Sequence, residues 1–141
     1  MKPSIALAVL LLVLAPSFAA SPKLAEKVDV DLTRMSGTVV YAMVYQMVTE
    51  PQKFKGKIVK MSGVFSSYYD DESKQRYFGC VISDALACCS QGLAFELKKP
   101  RKYPQKYPDE GTEISIKGIF DFRTEEDGVG FPIIRDAEMF R

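Results

Sequence analysis

Histidine is absent from the 141 residues, and so is tryptophan. Without an imidazole the chain cannot run Ser-His-Asp or Cys-His catalysis, build a histidine zinc site or ligate haem through histidine. Without an indole it lacks a common large binding anchor. An excess of either charge is missing too, with 19 basic residues against 18 acidic ones. A general binder of nucleic acid or anionic membrane needs a clear basic surplus. No C-x-x-C, phosphate loop or nucleophile elbow occurs. The acidic run Asp70-Asp71-Glu72 lacks the order of a calcium loop. No recognised catalytic set is present, and the chain reads as non-catalytic.

What is there is ordinary globular composition, 47% hydrophobic and 26% charged, at a length that suits one domain with a real core. Lys2, the apolar run Ile5 to Leu14 and the small residues Ser17, Ala19 and Ala20 have the three parts of a secretory leader. Cleavage is expected after Ala19, because cleavage after Ala20 would put bulky Phe18 at a position that needs a small side chain. The apolar run falls well short of the roughly 20 residues a membrane span requires, and no cysteine follows it to take a lipid anchor. Removing Lys2 with the leader leaves 18 basic residues against 18 acidic ones. The expected organisation is a signal peptide over 1–19, an extended lead-in over 20–35 and one domain over 36–141, exported to the periplasm or secreted.

Between Ser36 and Val48 the apolar residues Val40, Met43, Val44, Met47 and Val48 recur at helical spacing, and Pro51 closes the segment. The rest of the chain repeats itself. Gly56-Lys-Ile-Val-Lys-Met-Ser-Gly63-Val-Phe65 aligns with Gly111-Thr-Glu-Ile-Ser-Ile-Lys-Gly118-Ile-Phe120. Each copy runs into an acidic tip, Asp70-Asp71-Glu72 or Glu125-Glu126-Asp127, and then into a second apolar stretch ending at Asp84 or Asp136. Both aspartates are expected to cap turns. Alternation puts Val59, Met61, Gly63 and Phe65 on one face, and likewise Ile114, Ile116, Gly118 and Phe120. A glycine pointing inward in mid-strand marks the bend that closing a small barrel demands. Leu93, Phe95 and Leu97 alternate in the same way and add a strand between the two hairpins.

Helix, three strands, an irregular connector and two more strands resemble an OB-fold: mainly β, a five-stranded barrel preceded by an N-terminal α-helix. The stretch Asp84-Ala-Leu-Ala-Cys88-Cys89-Ser-Gln91-Gly-Leu-Ala-Phe95 is similar to one found in a family of small exported or lipid-anchored bacterial proteins. That resemblance implies a fold and a compartment and no activity. Where an OB-fold usually carries a helix between its third and fourth strands, this chain has Lys98 to Pro108 with prolines at 100, 104 and 108, and a loop is expected.

OB-folds bind on the face of their second and third strands, flanked by the loops joining strands one to two and four to five. Those loops are the two acidic tips, which disfavour nucleic acid and favour a neutral or cationic ligand, such as a basic protein segment of the cell envelope. Tyr68, Tyr69, Tyr77 and Gln91 are the groove candidates. The basic run Lys98, Lys99, Arg101, Lys102 and Lys106 is expected to be a surface loop whose Tyr103 and Tyr107 pack back on the barrel.

Cys80, Cys88 and Cys89 are an odd number for an oxidising compartment. Cys80 falls on the core side of its strand with Phe78 and Ile82, while the other two lie in or beside the following turn. Three readings stay open: a disulfide from Cys80 to Cys88 or Cys89, a strained vicinal Cys88–Cys89 bond, or thiolates for Cu(I) or Zn(II), with inert or redox-active thiols as the remainder. No cofactor is demanded. A metal would find Met61, Asp84 or Gln91 to complete its shell, and adjacent cysteines share one ion only if the turn rotates them together.

Overall fold

Alternating apolar and polar residues bury one face of each long strand, and the burial in a computed structural model follows that period. Residues 27–125 and 128–140 are described; the leader expected over 1–19 and the first part of the lead-in lie outside the described residues. In chain order the elements are β1 (Val30–Asp31), a 3-10 turn (Leu32–Arg34), α1 (Gly37–Thr49), a second 3-10 turn (Pro51–Lys53), β2 (Ile58–Asp70), β3 (Gln75–Ser83), β4 (Ser90–Leu97), β5 (Glu113–Thr124) and β6 (Gly130–Phe140).

The strands form one sheet whose ends meet. Antiparallel pairings join β2 to β3, β3 to β4 and β5 to β6; β4 runs parallel to β6, and β2 also pairs antiparallel with β5 to close the ring. The long strand β2 changes partner midway, with Ile58 to Val64 facing β5 and Val64 to Asp70 facing β3. Gly63 sits at that change: a Cβ there would lie 2.5 Å from the Val81 carbonyl oxygen. Gly118, its counterpart in the repeat, lies where β5 faces a bulge in β6, and a Cβ there would lie 2.5 Å from the Arg135 carbonyl oxygen. The internal repeat therefore marks two places where a neighbouring backbone leaves no room for a side chain.

Among the described residues there are six strands where five were expected. The extra one is β1, in the stretch expected to be an extended lead-in. It pairs parallel with Val59 and Lys60, and the Asp29 carboxylate accepts a 2.9 Å hydrogen bond from the Ile58 N–H. The 3-10 turn after it delivers Leu32 into the core. Two paired residues are too few to show any period, which is why the sequence reads this stretch as merely extended. Asp136 also differs from its expected role. It lies within β6 at the bulge, with φ of 49°, while β6 continues to Phe140.

The helix forms as expected, with Ser36 at its N-cap and Glu50 at its end, where the following proline disfavours helical backbone. Its Val44 and Met47 are fully buried, and it packs on β3, β4 and β6. No helix of the described residues is long and apolar enough to cross a membrane. Phe65, Phe120, Leu93, Ile116 and Ile134 fill the ring. The connector 98–112 contains neither helix nor strand. Its Tyr107 is buried and stacks on Phe78 at 4.2 Å, Tyr103 lies beside both rings, and the five basic side chains stay exposed.

Candidate functional site

Side chains of β3 and β4 that do not enter the core make the outer face, where the small residues Gly79, Gly92 and Ala94 lie beside Val81. Tyr68 and Tyr77 stand directly opposite one another across β2 and β3. Phe131, at the start of β6, meets Tyr77 edge-on at 5.7 Å. The result is a strip of aromatic rings beside a low floor, with two adjoining depressions of about 190 and 280 Å³ that share Tyr77 and Ala94. Tyr68 is 66% exposed. The Tyr77 hydroxyl donates to Glu125 Oε1 at 3.3 Å, which ties the strip to the β5–β6 hairpin. The acidic tip of the β2–β3 hairpin is a satisfied turn. Asp70 accepts from the Ser73 hydroxyl and from the Glu72 and Ser73 N–H groups, and these bonds hold its carboxyl below the usual range.

Of the four groove candidates, the fold brings Tyr68 and Tyr77 together and sends the other two elsewhere. Tyr69 points to the opposite side, where Arg76 lies 5.2 Å from its ring centre and 4.3 Å from that of Tyr103. Gln91 faces Ile82 in the β3–β4 pairing and shares the inward parity of Leu93. The period of two already separates Tyr68 from Tyr69. Sequence reasoning missed Phe131 and the floor of Gly79, Gly92 and Ala94, although alternation along β3 and β4 was enough to place that floor outside the core.

It also missed a larger cleft of about 540 Å³ between the start of α1 and the strands β2, β3 and β5. Leu32, Met35, Val40, Val64, Val81 and Ile82 give it apolar walls, and the Ser62 and Ser115 hydroxyls lie 2.6 Å apart within it. No sequence signal marks this cleft, because its walls come from five separate elements.

The cysteines divide. Cys80 is fully buried beside Gly63, and burial alone pushes its thiol up to about 12. Cys88 and Cys89 are exposed in the β3–β4 loop, and all three are free thiols. The loop is closed by the Asp84 N–H donating to the Cys89 carbonyl at 2.9 Å and the Ala87 N–H donating to the Asp84 carbonyl at 3.0 Å. Asp84 takes the turn role expected of it: its carboxylate accepts from the Cys88 N–H at 3.0 Å and from the Cys88 thiol at 3.1 Å. The Cys88 thiol is raised, first by the Asp84 carboxylate and then by Cys89. The two sulfurs lie 3.7 Å apart, and ligand atoms of Asp84, Cys88 and Cys89 all fall within 4.8 Å of one another. Cys80 is outside that group, and Met61 is buried in the core. No family model matches the chain, and no curated protein does.

Proposed function

We propose that the chain is exported, cleaved after Ala19, and acts without catalysis as an OB-fold-like binding module of the periplasm or cell envelope. On this reading β2 to β6 form the five-stranded barrel and β1 is an addition to it. The strand order supports this, since the ring runs β2, β3, β4, β6, β5 and back to β2. The observation that carries the function is the Tyr68–Tyr77–Phe131 strip. Its rings stand on β2, β3 and β6 and border the outer floor of β3 and β4, beside the β2–β3 and β5–β6 hairpins, where OB-folds take extended ligands. Flat rings over a small-residue floor suit stacking, and Glu125 with the acidic tips favours a neutral or cationic partner. A basic, aromatic-containing protein segment fits best; a nucleic acid would meet like charge at both hairpins.

The test is a backbone-amide NMR titration of the exported protein with three probes: a lysine- and tyrosine-containing peptide, a neutral oligosaccharide and oligothymidylate. Gly79→Val is the discriminating variant. A Cβ at Gly79 meets nothing closer than 3.8 Å, and the melting temperature of the variant checks that its two γ-methyls fill the floor without loss of fold. The peptide is expected to shift Gly79, Ala94 and Phe131 saturably, and to bind at least ~10-fold more weakly to the variant. Binding of oligothymidylate to this face, or peptide binding that the variant leaves unchanged, defeats the proposal. Intact mass of the exported protein should begin at Ala20.

A further inference from the structure

The β3–β4 loop meets a condition that adjacent cysteines rarely satisfy. In extended chain, neighbouring side chains point to opposite faces, so two consecutive thiols diverge. Here Ala87 adopts φ of 53°, and the loop folds back until the Asp84 N–H meets the Cys89 carbonyl. The turn rotates both sulfurs to one side, 3.7 Å apart, with the Asp84 carboxylate 3.1 Å from the first of them. Two thiolates at about 2.3 Å from a tetrahedral ion stand about 3.8 Å apart. A linear two-sulfur ion with the same bond length would need about 4.6 Å. The two thiols hold their separation as a sulfur–sulfur hydrogen bond, and it lies nearer the tetrahedral than the linear spacing.

We infer that Asp84, Cys88 and Cys89 form a surface site for one Zn(II) ion, two sulfurs and one oxygen, with the fourth position open to solvent. On binding, each thiol gives its proton to solvent as its sulfur–metal bond forms, and the carboxylate contributes an oxygen without losing one. Cys80 takes no part, because it is fully buried inside the ring. Both cysteines are exposed, and the donors come from one loop rather than from separate elements. Closed structural zinc sites have four protein ligands, so an ion held by three at the surface is exchangeable and is not what keeps the fold together. The site is independent of the aromatic strip, and either proposal survives the failure of the other.

The experiment uses the exported full chain, reduced and kept from air. Zn(II) alone is titrated against a competing chelator, with Co(II) absorption to report thiolate ligation. One equivalent is expected to bind. Binding should be lost in Cys88→Ser and in Cys89→Ser, weakened at least ~10-fold in Asp84→Asn, and kept in Cys80→Ala. Stripping the ion should leave the circular dichroism spectrum in place and lower the melting temperature only through the linkage of binding to the native state. The assignment is overturned if the reduced protein takes up no zinc, if uptake survives Cys88→Ser, or if Asp84→Asn binds as tightly as the parent. It is overturned equally if the exported protein carries a Cys88–Cys89 disulfide, seen as a mass lower by two hydrogen atoms that reductant restores and peptide mapping assigns to that pair. Thermal unfolding of each exposed-loop variant confirms that loss of binding is not loss of fold.

Discussion

Gly63 and Gly118 show how far one missing atom reaches. Each lies where a neighbouring backbone passes so close that a Cβ would sit 2.5 Å from a carbonyl oxygen, a distance that demands a backbone shift. Gly79, also on a strand, faces open floor instead. Gly118→Ala should therefore cost about 1–3 kcal/mol, the usual range for overpacking, whereas Gly79→Ala should change stability by less than about 1 kcal/mol. Urea unfolding midpoints at unchanged slope are the check. Equal losses in the two would mean that the ring opens at Gly118 at no cost. Both crossing glycines were legible in the repeat, because an inward glycine among buried apolar residues has no other use. The carbonyl each one admits belongs to a strand distant in the chain, and no local pattern identifies it.

Among the elements, the connector 98–112 departs most from ordinary loop behaviour. Its lysines are exposed and its tyrosines pack back as the sequence suggests, with Tyr107 buried against Phe78 and 5.8 Å from Phe65. The loop thus supplies an aromatic lid to the core. Tyr107→Ala is expected to cost about 3 kcal/mol, as for other large-to-small changes in a core. Replacing Lys98, Lys99 and Lys102 together by serine should leave stability within about 0.5 kcal/mol per site. Thermal and urea denaturation of the two variants separate these outcomes, and a connector that merely drapes over the surface would show no difference between them. The two residues of β1 carry no readable pattern, but the Asp29 bond to Ile58 and the burial of Leu32 fix it beside β2 at the edge of the ring.

For the whole molecule, the lack of histidine sets the response to pH. Asp29, Asp70 and Asp121 are held below the usual carboxylate value, chiefly by hydrogen bonds from the Ile58 N–H, the Ser73 hydroxyl and the Phe122 N–H. A lowered carboxyl stabilises the fold above its ordinary pKa of 3.8, and that stability is lost as pH falls below it. Burial raises Cys80 from 9.0 to about 12. It raises Tyr107 above its ordinary 10.0 as well. Their contribution is complete below those ordinary values and disappears as pH climbs through the raised ones. Nothing of imidazole type titrates between the two limbs. Stability measured with chelator present should be flat from about pH 5 to 8.5 and fall on both sides, with Cys80→Ala softening the alkaline limb. A step near pH 6.5 would contradict this account.

The chain by itself determined the long elements and their parity. Helical spacing ending before Pro51, period-two alternation and the glycine-marked repeat placed α1, the five long strands and the face each turns to the core, because these depend on neighbours within a few residues. It determined that Cys80 faces inward and that Tyr68 and Tyr69 point apart. Tertiary structure alone decided what meets what. The Tyr77–Phe131 contact joins residues more than fifty positions apart, and the 540 Å³ cleft takes its walls from five elements. The convergence of Cys88 and Cys89 rests on one backbone angle at Ala87, 53°, which the residue type does not favour and only the closed β3–β4 loop imposes.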